Sequence, residues 1–84
     1  MTTQGEGDVK ALIEYLAREL VDEPEHVNVT EVPGAEATTY EVRVAPNDLG
    51  KVIGKQGRIA NALRTVAKAA AMKHKRKVYV EIVA

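Results

Sequence analysis

The chain has no cysteine, no serine, no tryptophan and no phenylalanine, and its only aromatic residues are Tyr15, Tyr40 and Tyr79. Without cysteine there is neither a disulfide framework nor a thiolate metal site, the usual condition of proteins kept in a reducing cytosol. Without serine or cysteine the common covalent nucleophiles are missing. The two histidines, His26 and His74, lie far apart in the sequence, and neither has the carboxylate or cysteine spacing of a metal site. We expect no enzyme, no metal and no cofactor. Modules that stack nucleobases on aromatic platforms are also disfavoured.

Long apolar runs are missing too. No stretch approaches the roughly 20 residues of a membrane span, and Met1 to Gly7 is polar, without the apolar centre of a signal peptide. A soluble, cytoplasmic protein is expected, with no membrane partner. At 84 residues one small domain fits, able to bury roughly 60 to 65% of its unfolded surface. Residues 1–7 are expected to form a flexible N-terminus and residues 8–84 a single domain.

Net charge is zero, from 12 basic and 12 acidic residues, but the two signs are segregated. Residues 1–42 hold 2 basic and 10 acidic side chains, a net of −8, and residues 43–84 hold 10 basic and 2 acidic, a net of +8. Either the halves interdigitate and neutralise each other, or the molecule has a basic face suited to a polyanion. The second reading is favoured because the cations gather around one glycine-rich segment.

The pattern along the chain alternates helix and strand signals. Asp8 reads as an N-cap, followed by Val9, Leu12, Ile13, Leu16, Ala17 and Leu20 at helical spacing, with Pro24 beyond the end. Val27 to Val32 and Thr38 to Ala45 read as strands joined through Pro33-Gly34 as a hairpin. Pro46 stops the second strand, and Asn47 or Asp48 is placed to cap a short helix through about Val52. A longer helix begins near Arg58, with Ile59, Leu63, Val66, Ala67 and Ala70 as its apolar stripe and Asn61, Arg64 and Lys68 opposite. Val78 to Val83 alternates as a last strand. The order is α-β-β-α-α-β. The last strand should lie parallel to the second and the first antiparallel to it, leaving Thr39, Glu41, Arg43, Tyr79 and Glu81 on an open sheet face.

Between the two later helices lies Val52-Ile53-Gly54-Lys55-Gln56-Gly57-Arg58-Ile59. Glycines at both ends allow a sharp turn and close approach of a ligand to backbone. The helix that follows turns unpaired N–H groups and its positive dipole end to the same place. Lys55 and Arg58 add positive charge, and no carboxylate lies between Asp48 and Glu81. A plain turn explains two glycines at this spacing less well once the flanking residues are counted. The phosphate loop of nucleotide-binding proteins needs a different glycine spacing and a hydroxyl residue. A DNA-reading helix-turn-helix leaves the strands without a role.

This segment, from Leu49 to Leu63, resembles the I-G-x-x-G signature of KH domains, and the element order resembles their type II form. With Arg43-Val44-Ala45-Pro46 ahead of it, the likeness extends to the small bacterial KhpA family. The resemblance implies an α+β fold with a three-stranded mixed sheet and three helices packed on one face. It also implies single-stranded RNA as partner, the loop clamping about four backbone nucleotides. Gly54 and Gly57 would admit the sugar-phosphate chain, and Lys55, Gln56 and Arg58 would hold phosphates. Val52, Ile53 and Ile59 would floor the groove, and Lys51, Arg64 and Lys68 would stand at its rim. The groove's other side would be the hairpin edge, with backbone near Val42 to Val44 reading bases. The basic cluster Lys73 to Lys77 is either a solvated helix end or an addition to the groove. KhpA-like proteins are thought to form homodimers, or heterodimers with a larger KH-containing RNA-binding protein, and to act as RNA chaperones linked to cell shape and division. The alternative is a KH fold used for protein assembly, with little RNA binding of its own.

Overall fold

In the computed structural model, which describes residues 6–73 and 75–84, the chain folds as three helices over one face of a three-stranded sheet. Helix α1 spans Glu6–Leu20. Val9, Ile13 and Ala17 are buried, with Leu12, Leu16 and Leu20 half-buried around them, as the spacing of one amphipathic stripe requires. The helix begins two residues before Asp8, which is therefore not its cap. An acid is also favourable inside a first helical turn, facing the positive end of the dipole, so composition alone does not separate the two positions. Of the expected flexible N-terminus, residues 1–5 lie outside the described residues, and Glu6 and Gly7 belong to the helix.

A single 3₁₀ turn at Pro24–His26 leads into β1 (Asn28–Pro33), which pairs antiparallel with β2 (Ala37–Arg43) in the register Val29 to Val42 and Glu31 to Tyr40. The hairpin closes with the Gly34 N–H donating to the Ala37 carbonyl at 2.8 Å. A Cβ on Gly34 would lie 2.8 Å from that same oxygen, so the turn has room only for glycine. After β2 come a 3₁₀ turn at Pro46–Asp48, the short helix α2 (Leu49–Ile53), the glycine turn at Lys55–Gly57 and helix α3 (Arg58–Met72). Strand β3 (Lys77–Val83) then pairs parallel with β2, Tyr40 opposite Val80 and Arg43 opposite Val83. The sheet order is β1-β2-β3, so β2 is central and both other strands are edges.

Alternation sends Tyr40, Val42, Val78 and Val80 inward, where they meet Val9, Ile13 and Ala17 of α1 and Ala67 and Ala71 of α3. The opposite face carries Arg43, Tyr79 and Glu81 exposed, and Thr39 and Glu41 half-buried, as the sequence implies. Helix α3 is rotated from its expected setting. Its buried residues are Ala60, Leu63, Ala67 and Ala71, whereas Val66 is 37% exposed. Three alanines on the inner face let the helix settle close to the strands, and the larger Ile59 and Val66 face away from the sheet. Among the described residues no helix is long and apolar enough to cross a membrane.

Candidate nucleic-acid interface

The glycine turn is built from backbone conformations that few residue types accept. Gly54 has φ 76° and ψ 175°, a combination essentially confined to glycine, and Gly57 has φ 76° and ψ 14°. Between them Gln56 is left-handed at φ 56°, a position that an unbranched side chain tolerates at some cost. The Gly57 N–H donates to the Gly54 carbonyl at 3.1 Å, closing the turn. The two glycines are needed for different reasons. A Cβ on Gly54 would lie 2.6 Å from Ile59 Cγ1, so this position serves the packing of Ile59 as well as the turn. A Cβ on Gly57 would meet nothing within 4 Å, so Gly57 leaves open space for a ligand to approach.

Lys55, Gln56 and Arg58 are exposed around this turn. Neither Lys55 nor Arg58 makes an ion pair among the described residues. Helix α3 starts at Arg58, whose N–H donates to the Lys55 carbonyl, and the positive end of its dipole is presented beside these cations. A helix N-terminus and mobile cations together suit an anion with several oxygens.

The remaining expected groove residues divide. Ile53 is half-buried, next to the turn. Val52 is fully buried in the core and has no surface for a base; as a groove-floor residue it is a correction, because an apolar neighbour of the glycine loop satisfies α2 packing equally well. Ile59 lies on the other side of α3, where with Leu16, Leu20, Ala62 and Val66 it lines an apolar groove between α1 and α3 that has Glu19 and Arg58 at its rim. Lys51 is engaged by carboxylates, its Nζ 3.3 Å from Asp22 Oδ2 and 3.8 Å from Asp48 Oδ1. Asp48 stands at the N-cap position of α2, but its side chain makes no hydrogen bond to that helix. It is buried, and its carboxylate accepts hydrogen bonds from the backbone N–H groups of Asp22 and Glu23.

Backbone near Val42 to Val44 is not free to read bases, contrary to expectation. Val42 and Arg43 are paired on both sides, and the Val44 N–H donates to the Val83 carbonyl at 3.2 Å. The open edge beside α2 and α3 belongs to β3 instead. Arg64 marks it: its Nε donates to the Val80 carbonyl at 3.3 Å, while Nη1 donates to Asn61 Oδ1 at 3.1 Å. The guanidinium thus bridges α3 to the sheet edge in a fixed orientation. Asn61, which the sequence marked only as polar, holds it there, and the signal was present as an Asn–Arg pair three residues apart. Arg76 turns inward and donates to the hydroxyl of the buried Thr38, anchoring the turn before β3.

His26 has carboxylate neighbours after all, on its own 3₁₀ turn. Its Nδ1 is 2.9 Å from Glu23 Oε1, and Glu25 is close by, all at the surface. His74 lies outside the described residues.

A mixed sheet in this order, helices on one face and a G-x-x-G turn between the last two helices define a type II KH domain. The family described as the KhpA/KhpB KH domain matches residues 10–82, and the chain belongs to that family. It is 59% identical over 75 residues to the RNA-binding protein KhpA of Clostridium perfringens, covering 89% of this chain and all of the relative. To the RNA-binding protein KhpA of Aquifex aeolicus it is 50% identical over 74 residues, covering 88% of this chain and 94% of the relative. Among solved structures, Era bound to a GTP analogue and to nucleotides 1506–1542 of 16S ribosomal RNA superimposes with a TM-score of 0.61 at 22% identity. That match covers 88% of this chain and 28% of Era, and it speaks for the fold alone.

Proposed function

We propose that this protein binds single-stranded RNA without catalysing a reaction, and that the Gly54 to Gly57 turn is the clamp. The observation that carries this reading is the turn itself. A backbone that needs glycine at both ends is open at Gly57, flanked by Lys55 and Arg58, which make no ion pair among the described residues, and set on the N-terminus of α3. Close relatives named as RNA-binding proteins support it. Phosphates are held by Lys55, Gln56 and Arg58 at the positive end of the α3 dipole, while bases pass Ile53 toward Arg64 and the β3 edge. Lys51 contributes less, because Asp22 and Asp48 already share its charge.

One domain grips few nucleotides, so the affinity of a single copy is low, and pairing with a second KH domain supplies effective concentration without new contacts. The same reading includes a homodimer, or a heterodimer with a larger KH-containing partner, acting in the cytoplasm as an RNA chaperone or post-transcriptional regulator linked to cell shape and division.

The test is the double substitution Lys55→Asp with Gln56→Asp. Asp adopts left-handed backbone more readily than most residues, so the turn is preserved while negative charge faces the phosphates. Binding to single-stranded RNA should be lost with an unchanged circular dichroism spectrum. Retained binding with that spectrum would overturn the clamp.

A further inference from the structure

The geometry points to a second contact for the RNA strand at the far end of α3, where a base stacks on Tyr79 and phosphate is held by Lys68 and Lys77. The inference rests on the clamp reading and extends it along the molecule.

Gly57, Asn61, Arg64, Lys68 and Met72 follow one another at spacings of four, three, four and four residues, which places them within about 80° of arc on one face of a helix. The Arg64 bond to Val80 shows that this face runs along the open edge of β3. A strand leaving the glycine turn on this ridge meets Arg64 first and then, about 22 Å from Gly57 by helical rise, the level of Met72.

At that end lies a pocket of about 350 Å³ lined by Lys68, Met72, Arg76, Lys77, Val78 and Tyr79. Tyr79 is 56% and Met72 73% exposed, a flat ring and a polarizable thioether side by side. Lys68 and Lys77 are exposed and make no ion pair among the described residues, and no carboxylate lines the pocket. Arg76 is tied to Thr38 and so shapes the wall. An aromatic face next to two exposed cations is the arrangement by which single strands are held without sequence preference, the ring taking a base and the cations the flanking phosphates. The distance from the turn matters. A strand of four nucleotides fills the clamp alone, and only a longer one reaches Tyr79.

Fluorescence anisotropy with labelled single-stranded RNAs of four and eight nucleotides tests this. Tyr79→Ala should weaken binding of the eight-nucleotide RNA about tenfold or more, leave the four-nucleotide RNA unchanged, and be rescued by Tyr79→Phe. Replacing Lys68 and Lys77 together by Ala should lower the salt slope of the longer RNA by about 1.4. Equal affinity of wild type and Tyr79→Ala for the eight-nucleotide RNA would overturn the second contact. Failure of the clamp itself reads differently: the double aspartate variant at Lys55 and Gln56 would then bind the four-nucleotide RNA like wild type, which Tyr79 variants do not affect.

Discussion

Asp48 holds Glu23 across 25 residues of chain: its Oδ2 accepts the Glu23 N–H at 3.0 Å, and its Oδ1 accepts the neighbouring Asp22 N–H at 3.2 Å. The side chain is 1% exposed, and the bonds tie the end of α1 to the turn that starts α2 and the glycine loop. Charge-assisted bonds to backbone donors contribute more than neutral ones, and their loss strands two N–H groups. Asp48→Ala should therefore lower unfolding free energy by about 2–4 kcal/mol, measured by urea denaturation. Asp48→Asn should recover little of it, since its amide sets an NH₂ against one of the two donors. By contrast Lys51→Ala, which removes an exposed partner, should change stability by less than about 1 kcal/mol. A loss below half a kilocalorie for Asp48→Ala would show that the tie does not support the fold.

The two glycines of the turn should respond unequally to alanine. Gly57→Ala incurs only left-handed backbone strain, about 1 kcal/mol, because its Cβ position is open. Gly54→Ala combines the strain of a different, glycine-specific backbone at φ 76° and ψ 175° with a collision with Ile59, and should cost about 3 kcal/mol or more. Trimming the obstacle with Ile59→Ala removes Cγ1 and Cδ1 but keeps the Cβ, 2.9 Å from the added methyl, so the Gly54→Ala, Ile59→Ala pair should be less destabilised than the sum of its members by about 1 kcal/mol while Gly54→Ala stays costly. Strict additivity in denaturant titrations would mean that Ile59 moves aside freely.

RNA binding should favour single strands over duplex and weaken with salt. Each neutralised phosphate contributes a slope of about −0.7, so three to five contacts at the clamp give roughly −2 to −3.5 in a plot of log affinity against log salt. Lys55→Ala should reduce that slope more than Lys51→Ala, whose ammonium is already paired. A flat response, or tighter binding to duplex DNA, would favour the assembly or helix-turn-helix readings.

Self-association at micromolar concentration should be visible by sedimentation. Glu14 already pairs with Arg18 at 4.0 Å on the acidic outer face of α1, while the groove between α1 and α3 is lined by Leu16, Leu20, Ile59, Ala62 and Val66. Val66→Asp and the pair Glu14→Lys, Glu19→Lys distinguish these surfaces. Loss of the dimer in only one variant, with the circular dichroism spectrum kept, locates the interface on that surface. A clean monomer that binds short RNA at nanomolar affinity would disprove the need for pairing.

The order of elements was legible in the sequence because each has its own period and punctuation. Pro33-Gly34 marked the hairpin turn, alternation marked β2 and β3, and the glycines marked the break between α2 and α3. Local rules also gave the paired edges of the sheet once a parallel return of β3 was assumed. The orientation of α3 was not legible, because alanine carries little hydrophobic signal and the bulkier Ile59 and Val66 dominate any pattern count, although Ala60, Ala67 and Ala71 are the alanines that the fold buries. The same limit hid the burial of Val52, whereas the reading edge was assigned to β2 although the expected pairing already placed that strand between β1 and β3.

What the sequence by itself determined about this protein is therefore local: an α-β-β-α-α-β chain with a cationic glycine turn at one helix start, each part specified by residues adjacent in the chain. The tertiary structure alone decided which of those residues face a ligand. Asp48 found its donors 25 and 26 residues away, and Arg64 found an acceptor 16 residues on, at the edge of β3. Buried donors and acceptors are paired wherever the fold brings them together, and no local pattern encodes a partner that only folding makes near.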